Sequence, residues 1–205
     1  MTKNLQYDFH RTGSSVQKVI VAIHGWEGNR YSMHPIIKMM NIHNAGWYLL
    51  EAPYMVKGGN GRSWSYQISD GVWEVDEPKH LLNIFFSEIF EKYPSENIYV
   101  LGFSQGAMVC LDFVLFLDQP LGSVFPICGF LRQPDKEGVR FHTCQTYTPI
   151  LIGHGKDDDK VPMEASENAY RLLKDQGANV ELLLYNGKHK IGMKYIRKMN
   201  EMIQL

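Results

Sequence analysis

Ser104 lies in a sequence context that is typical of a catalytic nucleophile. It stands in the pentapeptide GFSQG, residues 102–106, directly after the apolar run 98–101 and before the nearly all-apolar stretch 108–117. In the strand–turn–helix arrangement called the nucleophile elbow, the serine occupies a sharp turn that lifts its hydroxyl above the sheet edge, and its neighbours must be small. The string alone is a weak signal, and an ordinary glycine-rich turn is the alternative. The flanking strand and buried-helix patterns favour the elbow.

His189 is the natural base for this serine. A serine hydroxyl is a poor nucleophile until a base within hydrogen-bond reach removes its proton. His189 lies in a loop between the last predicted strand and the last predicted helix. Its imidazole needs a carboxylate to fix the tautomer, and Asp157, Asp158 and Asp159 all follow the penultimate predicted strand. The residues by themselves leave open which aspartate fills this role and which two belong to a solvated surface.

Two backbone N–H groups are needed to hold the oxyanion of the tetrahedral intermediate. One is expected from Gln105, the residue after the nucleophile, at the start of the helix. The other is expected from the loop after the first core strand, which reads HGWEG at residues 24–28 and offers glycines for a tight turn. Trp26 would supply this second amide, and His24 is expected to brace the loop.

These residues must be held by a fold in which short apolar strands alternate with helices. Strands are predicted at residues 17–23, 47–51, 98–101, 122–128, 149–153 and 180–185, and helices at 32–43, 77–93, 108–117, 163–176 and 189–203. Such a pattern predicts a single α/β domain, 1–205, with a mostly parallel central sheet between two layers of helices. Ligands bind beyond the carboxyl ends of the strands in these sheets, and every candidate residue above follows a predicted strand.

Composition excludes several other classes of function. The chain has 205 residues, 44% of them hydrophobic, and a formal net charge of −1, which does not suit a nucleic-acid-binding surface. No apolar run reaches the ~20 residues that span a bilayer, and the N-terminus lacks the apolar region of a signal peptide. Three cysteines, an odd number, suggest free thiols in the cytoplasm. The histidines and cysteines show no metal-ligand spacing, so neither a metal nor an organic cofactor is expected.

Several motifs together resemble the phospholipase/carboxylesterase family of α/β-hydrolases, which includes bacterial carboxylesterases and acyl-protein thioesterases. They are the HGW loop at 24–26, the segment from APY at 52–54 to GGNGRSW ending at Trp64, GFSQGA, ICGFL at 127–131, HGKDDDKVP at 154–162 and YNGKHKI at 185–191. The resemblance implies an α/β-hydrolase fold. Counted from the HG and VP pairs, it assigns the catalytic acid to Asp158, and it aligns His189 with the family's catalytic histidine.

The sequence departs from the family pattern in three places. Trp26 follows HG where the family usually has a small or aliphatic residue, Lys188 replaces the usual glycine before the catalytic histidine, and the chain is slightly short. Aromatic and aliphatic walls suit an acyl chain, so Trp26, Trp64, Tyr66 and Leu131 are candidates for the substrate pocket.

The resulting hypothesis is a serine hydrolase that cleaves a small-molecule carboxylic ester, thioester or lysophospholipid through an acyl-enzyme. Ser104 would attack, His189 would transfer the proton and Asp158 would orient His189. The alternatives are a small serine peptidase, a dienelactone-hydrolase-like enzyme and a ligand-binding protein built on a hydrolase fold. Serine rather than cysteine at position 104 counts against the second. A homodimer is left open.

Overall fold

The structure, a computed structural model, describes residues 4–134 and 137–204, so both ends of the predicted domain and two internal residues lie outside it. In chain order the strands are β1 Gln6–Arg11, β2 Lys18–Ile23, β3 Ala45–Glu51, β4 Tyr54–Met55, β5 Arg62–Ser63, β6 Tyr66–Ser69, β7 Val72–Glu74, β8 Ile98–Phe103, β9 Ser123–Ile127, β10 Ile150–Gly155 and β11 Val180–Tyr185. The α-helices are α1 His34–Met40, α2 Asp76–Lys92, α3 Gln105–Asp112, α4 Met163–Asp175 and α5 Met193–Gln204.

Seven strands form one central sheet in the order β1-β3-β2-β8-β9-β10-β11. All neighbours pair in parallel except β1, which runs antiparallel to β3 at the edge. β4 pairs with β5 and β6 with β7 in two short antiparallel ladders. The prediction of a mostly parallel α/β sheet is therefore confirmed.

Helices cover both faces of the sheet because successive strand residues point to opposite sides. Val19, Val21 and Ile23 of β2 pack into a core that includes apolar residues of α2, α3 and α4. Ile20 and Ala22 of the same strand pack into a second core that includes residues of α1 and α5. Each strand buried on both faces reads as a continuous apolar run, which is why the sequence predicted the inner strands correctly.

The strand order changes direction at β2, whose two neighbours, β3 and β8, come after it along the chain. In open α/β sheets such a switch point opens a crevice at the carboxyl ends of the strands. The loop that begins at His24 follows β2, and Ser104 follows β8. The sheet therefore brings the predicted oxyanion loop and the predicted nucleophile to one crevice.

Helix bounds and edge elements differ from the sequence prediction. α3 starts at Gln105 rather than at residue 108 and gives way to a 3-10 turn at Val114–Phe116, while α5 starts only at Met193. The sequence prediction also missed β1 and the β6–β7 ladder. These strands lie outside the continuous core and expose most of their residues, so they lack the apolar runs that mark the inner strands.

Among the described residues, no helix combines the length and apolarity needed to cross a bilayer.

At Gly106, α3 lies directly against the end of β2. A Cβ atom built there would lie 2.1 Å from the Ile23 carbonyl oxygen, so Gly106→Ala must push the helix away from the strand. We expect the free energy of unfolding, measured by urea denaturation, to fall by about 3 kcal/mol. Gly59→Ala is the control because its added Cβ would meet no atom closer than 4.0 Å, and its effect should stay within about 0.5 kcal/mol. Equal effects for the two variants would contradict this account of the packing.

Candidate active site

Ser104 occupies a strained turn between β8 and α3. Its backbone has φ 55° and ψ −115°, a conformation that side-chain-bearing residues rarely adopt. Its N–H donates to the Ile127 carbonyl at 2.8 Å, which ties the turn to β9. Gly102 and Gly106 flank the turn, and a Cβ on Gly102 would lie 2.2 Å from the Gly106 carbonyl oxygen. The strand–turn–helix geometry is that of a nucleophile elbow.

The loop after β2 folds as a tight turn beside Ser104. The Gly28 N–H donates to the Gly25 carbonyl at 3.0 Å, and Glu27 takes a left-handed φ of 61°. A Cβ on Gly25 would lie only 3.1 Å from the Ser104 Cβ, so glycine lets the loop approach the serine. Within residues 4–134 and 137–204, the backbone N–H groups of Trp26 and Gln105 have no acceptor. Both therefore remain available to a ligand.

His24 braces this loop from the buried side, as expected from the sequence. Its Nδ1 lies 2.7 Å from the Gly25 carbonyl oxygen, and its Nε2 accepts the Ala52 N–H at 3.1 Å. The two contacts fix a neutral imidazole with its proton on Nδ1. Burial lowers the pKa of His24 in agreement with this state.

Asp158 and His189 meet across the loops that follow β10 and β11. His189 Nδ1 lies 2.7 Å from Asp158 Oδ2, and the Asp158 side chain is fully buried. The His189 ring also packs at a tilt against Phe103, the residue before Ser104, with ring centroids 4.8 Å apart and an interplanar angle of 45°. The Ser104 hydroxyl itself makes no hydrogen bond to any part of the chain that the structure describes. Catalytic hydrogen bonds are often open without substrate and tighten in the complex.

The neighbouring aspartates lie outside this arrangement. Asp159 is exposed and forms a surface ion pair with Lys188 at 3.7 Å. The Asp157 side chain points to solvent, while its N–H donates to the Gly187 carbonyl at 3.0 Å. Of the three adjacent carboxylates, Asp158 is the one in contact with His189.

Hydrogen bonds keep the buried Asp158 carboxylate ionised. Burial raises the pKa of Asp158, but N–H donors from Val161, His189 and Lys160 outweigh it and hold the pKa below its ordinary value. The two backbone donors lie 3.0 Å and 2.9 Å from Oδ1. Because the pKa is lowered, this network stabilises the fold at neutral pH and loses that contribution only as the pH falls through the pKa of the folded state.

His154 is a second histidine on the same carboxylate, and its role was missed by the sequence analysis. It is buried, and its Nε2 lies 3.2 Å from Asp158 Oδ2 and 3.0 Å from the Val161 carbonyl oxygen. Its Nδ1 lies 2.6 Å from Ser166 Oγ on α4. His154 therefore anchors the loop that carries Asp158 to α4, the helix that follows it. The HG pair at 154–155 was the available signal, but it served only to set the register of the aspartates.

Tyr185 holds the loop that carries His189, and this role was also missed. The tyrosine hydroxyl donates to the Lys190 carbonyl at 2.7 Å and lies 3.3 Å from Cys128 Sγ. It thereby closes the loop that runs from the end of β11 to Lys190. Tyr185 reads as an ordinary strand residue in the sequence, so no local signal marks its hydroxyl.

The Gln105 side chain attaches the loop before Trp64 to the start of α3. Gln105 Oε1 accepts the Trp64 N–H at 3.0 Å, and Nε2 donates to Ser63 Oγ at 2.9 Å and Ser65 Oγ at 3.2 Å. Trp64 is buried and donates its indole N–H to the His24 carbonyl at 3.0 Å. These contacts connect the elbow, the loop after β2 and the loop that ends in Trp64.

A cavity of about 750 Å³ lies along α3, starting one helical turn beyond Ser104 at Met108. Two predicted pocket residues, Trp64 and Leu131, line it. The other two do not. Tyr66 packs its ring against Tyr54 at 4.8 Å, and Trp26 is 59% exposed. Tyr66 belongs to the β6–β7 ladder, which the sequence prediction missed and which instead contributes Trp73 to the lining of the cavity.

The family of the chain follows from comparison with known proteins. A model of the family described as Phospholipase/Carboxylesterase matches residues 10–205. The chain belongs to this family. It is a hydrolase, as the resemblance in the sequence predicted.

Relatives and solved structures agree with this membership. Carboxylesterase SOBER1 of Arabidopsis thaliana is 29% identical over 203 residues, covering 90% of this chain and 89% of the relative. Acyl-protein thioesterase 1 homolog 1 of Dictyostelium discoideum is 30% identical over 117 residues, 56% of this chain and 51% of the relative. The SOBER1 crystal structure superimposes with a TM-score of 0.75 at 27% identity, covering 91% and 97% of the two chains. The esterase PE8 structure has the same fold, with a TM-score of 0.85 at 20% identity and coverage of 98% and 99%.

The backbone strain at Ser104 can be measured through the free energy of unfolding. Glycine accepts φ 55° without penalty, whereas alanine retains the Cβ atom that disfavours it. We expect Ser104→Gly to unfold with a free energy about 1 kcal/mol higher than Ser104→Ala, measured by urea denaturation. The comparison is internal because both variants lack the hydroxyl. A Ser104→Ala protein as stable as Ser104→Gly would show that the turn is unstrained.

Proposed function

We propose that the protein hydrolyses carboxylic esters through an acyl-enzyme formed on Ser104, with His189 as general base and Asp158 as the residue that orients it. The observation that supports this most directly is the 2.7 Å contact between His189 Nδ1 and the fully buried carboxylate of Asp158. A carboxylate in this place fixes the imidazole with its free Nε2 ready to accept a proton. His189 packs against Phe103, which precedes the strained serine.

The reaction proceeds in two halves. Ser104 Oγ attacks the carbonyl carbon while His189 Nε2 accepts the hydroxyl proton, and the N–H groups of Trp26 and Gln105 stabilise the oxyanion. His189 then gives the proton to the leaving group, which departs and leaves an acyl group on Ser104. Water attacks this acyl-enzyme with the help of His189 and releases the acid.

The substrate proposed is a small acyl ester. The cavity that begins at Met108 has a mixed lining, in which apolar residues including Trp64 and Leu131 suit an acyl chain and Lys79, Asp112 and Arg132 add charge. The names of the relatives support esters and acyl-protein thioesters over peptides. Serine at position 104 sets the protein apart from dienelactone-hydrolase-like enzymes with cysteine at this place. A ligand-binding protein would not need a triad with all three positions filled.

Replacing Ser104 by alanine tests the nucleophile. Ser104→Ala should lower kcat for p-nitrophenyl esters by a factor on the order of 10⁶ because triad members act as one unit. A fluorophosphonate probe should label the wild type and the control Ser87→Ala, whose serine is exposed on α2, but not Ser104→Ala. Absence of labelling in the wild type would favour the ligand-binding alternative, and residual turnover above a small percentage would place the nucleophile elsewhere.

The three adjacent aspartates provide matched controls for the acid. Asp158→Asn should lower kcat about 10⁴-fold, since an amide can hold His189 in the wrong tautomer. Asp157→Asn and Asp159→Asn remove exposed carboxylates of the same loop and should each stay within about tenfold of the wild type. The measurement is kcat on one p-nitrophenyl ester for all four proteins. A larger loss for either neighbour than for Asp158 would contradict the assignment.

A further inference from the structure

A cluster of two histidines and one carboxylate lies at the edge of the sheet and shares no residue with the candidate active site. Asp8 and His10 belong to β1, and His34 is the first residue of α1. Asp8 Oδ2 lies 2.9 Å from His10 Nε2 and 2.8 Å from His34 Nε2, and the two Nε2 atoms are 3.1 Å apart. We refer to Asp8, His10 and His34 as the edge cluster.

The fold, and not the spacing in the sequence, assembles this cluster. Asp8 and His10 are two residues apart on a strand and so project from the same face. His34 is 24 residues beyond His10 and reaches them because α1 covers that face of the sheet. The expectation of no metal site was based on the spacing of residues along the chain. Such spacing does not reveal a site whose three ligands lie on two separate elements.

Hydrogen bonding alone cannot satisfy all three contacts. If both Nε2 atoms carry a proton and donate to Asp8, the two N–H groups stand side by side with no acceptor between the nitrogens. If one imidazole donates to the other, a bare nitrogen lone pair faces the carboxylate oxygen. Each arrangement of protons leaves one contact repulsive, whereas a cation placed among the three atoms uses all three lone pairs.

We propose that the edge cluster binds a divalent transition-metal ion, with Zn²⁺ as the ion it fits best. Zinc is bound by imidazole nitrogen and carboxylate oxygen at about 2.0–2.2 Å, and at tetrahedral angles such ligands lie roughly 3.3 Å apart. The observed separations of 2.8 to 3.1 Å need to open by only a few tenths of an ångström. Two imidazoles disfavour Ca²⁺ and Mg²⁺, which take oxygen ligands.

The surroundings of the edge cluster suit an ion. The three side chains are 31%, 39% and 38% exposed, so the ion has an entry path and water can complete its coordination. A bound ion would join the antiparallel edge strand β1 to α1 and stabilise the folded protein.

A second group of potential ligands provides the competing interpretation. Cys128 Sγ, an Asp158 carboxylate oxygen and a His189 ring nitrogen lie within 4.8 Å of one another. There the Asp158 oxygens already accept hydrogen bonds from Val161, Lys160 and His189. Burial also raises the pKa of the Cys128 thiol, which disfavours the thiolate that a metal needs. The edge cluster is therefore the better site, and variants can tell the two apart.

The test is Zn²⁺ binding to the tag-free, full-length protein by isothermal titration calorimetry and by elemental analysis after dialysis. The wild type should bind about one equivalent, and His34→Ala and His10→Ala should each weaken binding by at least about tenfold. Asp8→Asn, a smaller change, should weaken it in the same direction. His43→Ala, which removes an exposed histidine outside both groups, and Cys128→Ser should bind as the wild type does.

Thermal unfolding supplies an independent readout. Zn²⁺ at a hundredfold excess over its Kd should raise the Tm of the wild type and of His43→Ala by about 5 °C or more, and leave the Tm of His34→Ala unchanged. Each variant first requires a cooperative transition without metal. Loss of binding in Cys128→Ser with retention in His34→Ala, or no binding to the wild type, would overturn the proposal.

Ester hydrolysis provides a further comparison. EDTA-treated and zinc-loaded protein should hydrolyse an ester equally fast. If zinc changed this rate while the other results held, its effect would lie in the active site.

Discussion

A carboxylate that is fully shielded from water costs several kcal/mol unless donors surround it, and Asp158 is such a group. Backbone N–H groups of its own loop contact one of its oxygens, and His189 and His154 contact the other. These partners come from the loops after β10 and β11 and from the end of β10 itself. The carboxylate can be buried only if all these elements are in place. The geometry of the candidate site therefore depends on the packing of this end of the sheet.

The two loops are also held together without side chains. The Lys156 N–H donates to the Tyr185 carbonyl at 2.9 Å, and the Asp157 N–H donates to the Gly187 carbonyl at 3.0 Å. A Cβ on Gly155 would lie 2.4 Å from the carbonyl oxygens of the facing loop, so glycine is required for this approach. These backbone contacts hold the His189 loop in place independently of its side chains. The proposed triad needs this kind of pre-organisation.

The other half of the site stores strain where the chemistry is proposed. Ser104 keeps φ 55° because β9 receives its N–H and because α3 packs directly on β2. Strained backbone of this kind persists when the surrounding structure over-determines it. The Gln105 side chain then extends the same rigid unit to the loop that carries Trp64. In the proposed mechanism, the contact between Ser104 and His189 is the part of the site that a substrate would complete.

The sequence by itself determined the inner strands, the helical layers and the identity of the family, because strands buried on both faces and family motifs leave local patterns of residue type. It also pointed to Ser104, Asp158 and His189 as candidates, through motif register. Only the tertiary structure decided that Trp64 and Leu131, but not Tyr66, line the cavity, that His154 contacts Asp158, and that Tyr185 holds the loop that carries His189. Only the tertiary structure gathered Asp8, His10 and His34 into one cluster. Such contacts join residues far apart along the chain, and their distances depend on how elements pack, which composition and spacing do not encode.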